Sequence, residues 1–363
     1  MKRLLVSFGA VSLSLAGGLL SGSTAVAVAQ EHDGGAYRAL DTLARAMTTI
    51  EARYVEAVDL TALSHAAIEG MAAHLDPHSV FLDPDEFAHL QERTSGRWFG
   101  IGVELVIDPR GARIQRVIAG GPADLAGVHR GDLLVGVDGH DLDGLDMDEI
   151  TALLAGPRGE PVRLDLVPAG TEGAPARVEV VRDQVIEPAV ESDELAPGVA
   201  YVHLDSFRER AAVELERDLR AFGEDRPLRA VVLDLRGNPG GLLEEAVGVV
   251  DLFVGSGTIV ETRGRDGEQV EVHRAHDSDD DIDARLVVLV DGGSASASEI
   301  VAGALQDLGR ATIVGSPTYG KGSVQQVYEF EDGSALKLTV ARYQLPSGRT
   351  LSLHEGIQPD VVV

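Results

Sequence analysis

Between residues 229 and 314 two kinds of periodicity take turns. Arg229-Ala-Val-Val-Leu-Asp-Leu235, Arg285-Leu-Val-Val-Leu-Val290 and Ala311-Thr-Ile-Val314 are short aliphatic, β-branched runs, the pattern of strands buried on both faces. Between them lie a helical stretch from Leu242 to Phe253 and a second one from Ala297, in which Ile300, Val301, Ala304, Leu305 and Leu308 recur at helical spacing. Strands alternating with helices close as βαβ crossovers, so this segment demands a parallel or mixed sheet.

The link between the second strand and its helix carries the chemistry. Asp291-Gly-Gly-Ser-Ala-Ser-Ala-Ser298 breaks the strand, and Ser296 falls at the helix N-cap, with Gly309 placed for the C-terminus. Unpaired N–H groups and the positive end of the helix dipole would stabilise an oxyanion forming beside that hydroxyl. Ser296-x-x-Glu299 is also a capping box, which serves structure alone equally well. Lys321 sits between Gly320 and Gly322, past the strand that ends at Val314. A lysine buried in a cleft there loses its proton more readily and can act as a general base toward a serine.

Ser294-Ala-Ser-Ala-Ser-Glu-Ile300, Gln306-Asp307 and Tyr319-Gly-Lys-Gly-Ser-Val-Gln325 together resemble the carboxyl-terminal processing, or tail-specific, proteases, which are serine–lysine peptidases with a PDZ domain. The resemblance places the nucleophile on Ser296, the base on Lys321 and the glutamine that orients the lysine on Gln325. Lys321 and Gln325 stand 25 and 29 residues after the serine, in the family's pattern. Arg236-Gly-Asn-Pro-Gly-Gly241 resembles the family's Gly-rich oxyanion loop. Pro239 has no N–H, so the resemblance implies Gly240 or Gly241 as donor beside Ala297.

The preceding chain fits the same family. Gly100-Ile-Gly-Val-Glu-Leu105, Gly120-Gly-Pro-Ala-Asp-Leu-Ala-Gly127 and Gly131 to Gly139 look like successive PDZ segments. In such domains backbone N–H groups near Gly100, Ile101, Gly102 and Val103 would bind a peptide's terminal carboxylate while the strand edge pairs with the peptide. Strands are expected at 101–106, 112–117, 132–137, 162–167 and 177–181, with a helix at 147–154. The family commonly has a basic residue just before the glycine that matches Gly156, where this chain has Ala155; nearby Arg158 is a substitute. Residues 36–92 read as helices, with Leu40, Leu43, Met47, Ile50 and Tyr54 on one face. His74-Leu-Asp-Pro-His-Ser79 reads as a turn, since Pro77 cannot continue a helix, and its Leu-Asp-Pro-His-Ser string resembles the family's N-terminal segment. Tyr201 to Phe207, Ser323 to Val327 and Leu336 to Val340 read as strands, and Asp266-Gly267 as a hairpin turn.

Composition narrows the partners. A net charge of −28 over 363 residues argues against nucleic acid and anionic membranes. Lys2-Arg3, the apolar run Leu4 to Leu20 and the small residues of Ala25-Val-Ala-Val-Ala29 read as a signal peptide cleaved after one of those alanines, with an uncleaved anchor as the alternative, so the protein is expected to be exported, to a periplasm or beyond. Without cysteine there is no disulfide, thiol nucleophile or thiolate metal site.

Rival motifs fail on context. Gly315 to Lys321 matches seven positions of a P-loop, but Gly322 stands where Ser or Thr should hold magnesium. Ser334-Ala-Leu-Lys337 lies on a strand, where the Ser-x-x-Lys motif of penicillin-binding enzymes needs a helix start. A calcium loop from Asp277 has Ile282 in place of the required glycine.

The expected architecture is therefore α/β (α+β, multidomain): a signal peptide at 1–29, an N-terminal helical segment at 30–93, a PDZ domain at 94–183 as a small β-rich barrel with helices, and a protease core at 184–363 with a mixed βαβ sheet. The expected activity is serine endopeptidase cleavage of proteins near free, apolar C-termini, through a Ser/Lys dyad and an acyl-enzyme, with no metal or cofactor. The competing expectation is an exported PDZ scaffold with an inactive protease-like core. The physiological substrate, an activating adaptor and the oligomeric state are not legible.

Overall fold

A computed structural model describes residues 35–171, 173–224, 226–278, 281–351 and 355–363; the expected signal peptide lies outside them. The chain forms two compact units, divided between Ile68 and Glu69. In the first, α1 (Gly35–Arg53) has the expected apolar face, yet none of its residues is buried: Leu43 and Met47 are half-buried, and Leu40 and Ile50 exposed. The helix α2 (Leu60–Ala73) runs across the division. Among the described residues no helix is long and apolar enough to cross a membrane.

The second unit corrects the all-helical reading of 36–92. After the Asp76–Ser79 turn the chain forms a strand, β1 (Val80–Leu82), before α3 (Pro84–Ser95). Pro84 pre-sets the first turn of α3, and Asp83 and Glu86 close a capping box. Strand β2 (Arg97–Gly100) leads into the PDZ sheet: β3 (Val103–Asp108), β4 (Gly111–Val117), α4 (Pro122–Leu125), β5 (Leu133–Val137), β6 (His140–Asp141), α5 (Met147–Leu154), β7 (Pro161–Val167) and β8 (Ala176–Val181). The order is β3-β4-β5-β7-β8, with β6 on β5, around a core that includes Ile114, Leu134, Ile150 and Leu164. The first PDZ strand starts two residues later than expected, because Gly102 turns at φ 78° before pairing begins. β9 (Asp183–Ile186) then pairs antiparallel with β2, so the strands that lead into and out of the PDZ sheet are joined.

The core continues through β10 (Val190–Ala196), β11 (Val199–Leu204), α6 (Ala211–Glu224), β12 (Ala230–Asp234), α7 (Leu243–Asp251), the hairpin β13 (Thr258–Arg263) and β14 (Gln269–Arg274), β15 (Arg285–Val290), α8 (Ala297–Asp307), β16 (Ala311–Gly315), β17 (Ser323–Glu329), β18 (Ala335–Gln344) and β19 (Val361–Val362). The mixed sheet demanded by residues 229–314 is present in the order β10-β11-β12-β15-β16-β19, parallel except for the edge strand β10. Val231, Leu233, Val288 and Ile313 are fully buried in it, against Leu215 of α6, Val249 of α7 and Ile300 of α8. A second sheet, antiparallel, runs β1-β18-β13-β14, with β17 on the other side of β18.

Candidate active site

Three segments singled out in the sequence leave the carboxyl ends of three neighbouring parallel strands. The Gly-rich loop follows β12, the serine turn follows β15 and the Lys321 segment follows β16. A crevice outside those strand ends is where an open α/β sheet places reacting groups.

The serine turn is tight and strained. Ser296 has φ 56° and ψ −113°, a backbone cost of about 1–3 kcal/mol for a residue with a side chain. The surroundings hold it there: Ser294 Oγ donates to the Leu235 carbonyl at 2.7 Å, and Ser298 Oγ to the Asn238 carbonyl at 2.9 Å, both fully buried. Those two hydroxyls are spent on stitching the turn to the Gly-rich loop. Ser296 instead lines a cavity of about 1060 Å³ with Trp98, Gly240, Lys321, Gln325 and Tyr343.

Glu299 draws the Ser296 and Lys321 segments together. Its carboxylate is fully buried. Oε2 accepts the Ser296 and Lys321 amides, each at 2.8 Å, and Oε1 accepts the Gly320 amide at 2.7 Å and the Thr318 hydroxyl at 2.6 Å. Four donors fill the four lone-pair directions of a carboxylate. Burial, and then the neighbouring Lys337 ammonium, pull the Lys321 pKa below its ordinary value, with Glu299 opposing. Ser296 and Lys321 line the cavity without a direct side-chain hydrogen bond among the described contacts, a separation common before substrate closes a site.

The Gly-rich loop faces the serine closely enough to require glycine. A Cβ on Gly240 (φ 103°) would stand 2.8 Å from Ser296 Cβ and 3.0 Å from the Ala297 nitrogen. Asn238 shapes the loop, donating to the Leu204 carbonyl and accepting the Gly240 amide at 2.8 Å. Of the expected oxyanion donors, Gly240 is therefore engaged, while the Gly241 and Ala297 amides have no hydrogen-bond partner among the described residues.

Gln325 lies on β17 opposite Thr339 of β18. Its amide nitrogen donates to Ser323 Oγ at 2.7 Å and, at 3.5 Å, to Thr339 Oγ1, so its expected bond to Lys321 is not among the described contacts.

Sequence reasoning passed over several residues here. Tyr343 is 5% exposed, and its amide holds the Gly322 carbonyl at 2.9 Å. Burial pushes its phenol up to about 12, with a side-chain hydrogen bond to Ser296 opposing. Lys337, half-buried, lines the same cavity. Neither carries a local signal, because each is an ordinary alternating residue of β18. Glu299 is legible only as a capping-box partner, since the amides it also accepts belong to residues about 20 positions away.

In the PDZ sheet β3 is an edge strand. The Ile101 and Gly102 carbonyls accept the Ala123 and Ile118 amides, while the Ile101 and Gly102 amides have no partner among the described residues. Gly100 closes β2 and Val103 opens β3. Ala155 caps α5, and the guanidinium of Arg182 packs beneath Gly156, donating to the Leu154 carbonyl at 2.7 Å. Arg158, the expected substitute, pairs with Asp183 at 2.6 Å and lies over the Phe99 ring.

Comparison with known proteins agrees with this arrangement. Residues 198–363 match the model of peptidase family S41, residues 113–168 a PDZ domain, and residues 19–86 the N-terminal domain of activating protease CtpB. A carboxy-terminal-processing protease of Bartonella bacilliformis is 36% identical over 96% of this chain and 81% of its own. A carboxyl-terminal-processing protease of Synechocystis is 39% identical over 83% and 71%. The solved photosystem II D1 C-terminal processing protease is 32% identical over 85% of this chain and 84% of its own, with a TM-score of 0.51.

Proposed function

The chain belongs to peptidase family S41, a serine-type carboxy-terminal-processing protease with a PDZ domain, and on that premise we propose that Ser296 is its nucleophile and Lys321 its general base. The observation that carries the assignment is the Glu299 carboxylate, which accepts the amides of both residues through one oxygen and so holds the two segments at one wall of the cavity. Neutral Lys321 takes the Ser296 proton as Oγ attacks the substrate carbonyl. The oxyanion is met by the Ala297 and Gly241 amides, the two free donors beside the serine. Collapse breaks the C–N bond, and Lys321 returns its proton to the leaving amine, leaving an acyl-enzyme on Ser296. Lys321 then deprotonates a water that attacks the ester, and the same proton goes back to Ser296 as the acid departs. Gln325 orients the lysine.

The substrate enters as an extended tail. The free Ile101 and Gly102 amides suit a terminal carboxylate, the open edge of β3 suits strand pairing, and Val103 offers an apolar wall, so the substrates are proteins with free, apolar C-termini. The leader pattern at 1–29 makes this an exported enzyme.

The test is a serine comparison. Ser296→Ala abolishes cleavage and labelling by a fluorophosphonate. Ser294→Ala and Ser298→Ala, which lose only stitching bonds worth about 1 kcal/mol each, still label. Labelling that survives Ser296→Ala overturns the assignment, and a wild type that neither cleaves nor labels supports the inactive scaffold.

A further inference from the structure

The Leu-Asp-Pro-His-Ser string has no part in the mechanism above, yet its turn lies against the back of the site. Ser79 is 1% exposed, and β1, which follows it, pairs with Leu336 and its neighbours on β18. Two bonds join the turn to Thr339: the Thr339 amide donates to Ser79 Oγ at 3.1 Å, and Thr339 Oγ1 donates to Asp76 Oδ1 at 3.2 Å. Asp76 also accepts the His78 and Ser79 amides and the Ser79 hydroxyl. Burial would raise the Asp76 pKa, but these hydrogen bonds outweigh it and hold the carboxyl below its usual range. Burial, and then the Lys321 charge, lower the His78 pKa, with Asp76 opposing.

The polarity of this chain of bonds is determined by chemistry. An ionised carboxylate can only accept, so Thr339 must give its one hydroxyl proton to Asp76. What Thr339 then offers Gln325 is a lone pair, and only the –NH₂ end of the amide can use it, as the 3.5 Å contact from Nε2 shows. The carbonyl Oε1 is left as the one acceptor with which Gln325 can hold Lys321. We propose that the Asp76–Ser79 turn sets the amide orientation of Gln325 through Thr339, which makes Asp76 and Thr339 positioning residues of the Ser296/Lys321 centre. The inference rests on the reading of Lys321 as base and Gln325 as its partner.

The experiment uses the full chain with Thr339→Val, Thr339→Ser and Asp76→Asn, following cleavage of a peptide with a free apolar C-terminus and the rate of fluorophosphonate labelling across pH. In Thr339→Val the amide keeps only its 2.7 Å bond to Ser323 Oγ, a hydroxyl that can donate as well as accept, so its –NH₂ can turn toward the lysine, which misplaces the amine and disfavours its ammonium. The expected result is a fall in kcat of about 10-fold, the size of one misdirected hydrogen bond. KM stays near wild type, and the acid limb of kcat/KM moves to lower pH. Asp76→Asn, whose amide can donate to Thr339, shifts both in the same direction, and Thr339→Ser restores them. Should Thr339→Val fail to fold, Asp76→Asn carries the comparison. Wild-type kcat per labelled enzyme and an unmoved acid limb in the folded variants overturn the relay, even if their Tm falls. A wild type that never labels defeats the serine–lysine reading itself, and the relay with it.

Discussion

Two lysines share one cavity, and the charge of Lys337 acts on Lys321. Lys321 is pulled down by burial first and by Lys337 next, while Lys337 is pulled down by burial and then by Arg93. In the proposed mechanism Lys321 must be neutral to accept the Ser296 proton, so whatever lowers its pKa enlarges the active fraction near neutral pH. Replacing Lys337 by Met keeps the side-chain length and removes the charge. Without that repulsion the Lys321 ammonium is easier to keep, and its pKa rises. The acid limb of kcat/KM in Lys337→Met is therefore expected to move to higher pH, with activity depressed at pH 7 and recovered in alkali. A pH profile from 5 to 10 checks this, and a limb that stays put or moves down shows that Lys337 does not tune the base. At this scale the sequence marks the proposed pair locally, Ser296 by its N-cap position and Lys321 by its flanking glycines, while their roles rest on the family resemblance. Lys337, Tyr343 and the second duty of Glu299 carry no such mark, since their partners lie on segments distant in sequence.

Loops that follow parallel strands can approach one another only as closely as their side chains allow, and here glycine sets that distance. Gly240 and Gly237 make a matched pair in the Arg236–Gly241 loop. Both have positive φ, 103° and 73°, but a Cβ on Gly240 would collide with Ser296 Cβ and the Ala295 carbonyl, whereas one on Gly237 meets nothing within 4 Å. Gly237→Ala thus costs only left-handed backbone strain, about 1–2 kcal/mol. Gly240→Ala adds a collision that forces the loop off Ser296, and displacement of the proposed oxyanion donor is expected to cost about 100-fold or more in kcat. Kinetics of the two variants, with far-UV circular dichroism to confirm the fold, measure the difference; equal losses would mean that proximity to Ser296 is not what this glycine provides. The same physics explains which elements were legible. β12, β15 and β16, expected to be buried on both faces, are fully buried on one and mostly half-buried on the other, and they still announce themselves as apolar runs. β10 leaves all but its first residue exposed, β1 has three residues, and β2 with β9 form a short ribbon, so composition gives no periodicity to read. The sequence reading also has no element between Phe207 and Arg229, where Ala211, Leu215 and Leu219 of α6 are fully buried.

On the proposed reading, substrate recognition and chemistry meet at one short ribbon. β2 runs directly into the Gly100–Val103 loop, and Trp98 of that strand, the only tryptophan in the chain, also lines the Ser296 cavity. A tail held by its carboxylate at Ile101 and Gly102 is thereby anchored within three or four residues of a side chain that faces the cleft. Such an arrangement reads two properties of a substrate together: whether the chain ends, and whether an extended segment upstream can reach the serine. Amidating the tail removes the charge that the free amides would bind, and ending it in Asp-Asp places like charge beside an already acidic molecule. In the inactive Ser296→Ala protein, a peptide with a free apolar C-terminus is expected to change Trp98 emission in a saturable way, and its amide to bind about 10-fold or more weakly, the loss of one charge-assisted hydrogen bond. In the active enzyme the same pair of peptides should differ in kcat/KM in the same direction. Deleting residues 95–182 is expected to remove recruitment, Trp98 included, but to leave Ser296, Glu299 and Lys321 in the protease core, so that short peptides are cleaved without regard to their ends. Equal binding and equal cleavage of the free and amidated tails by the intact chain would show that the edge of β3 does not read C-termini.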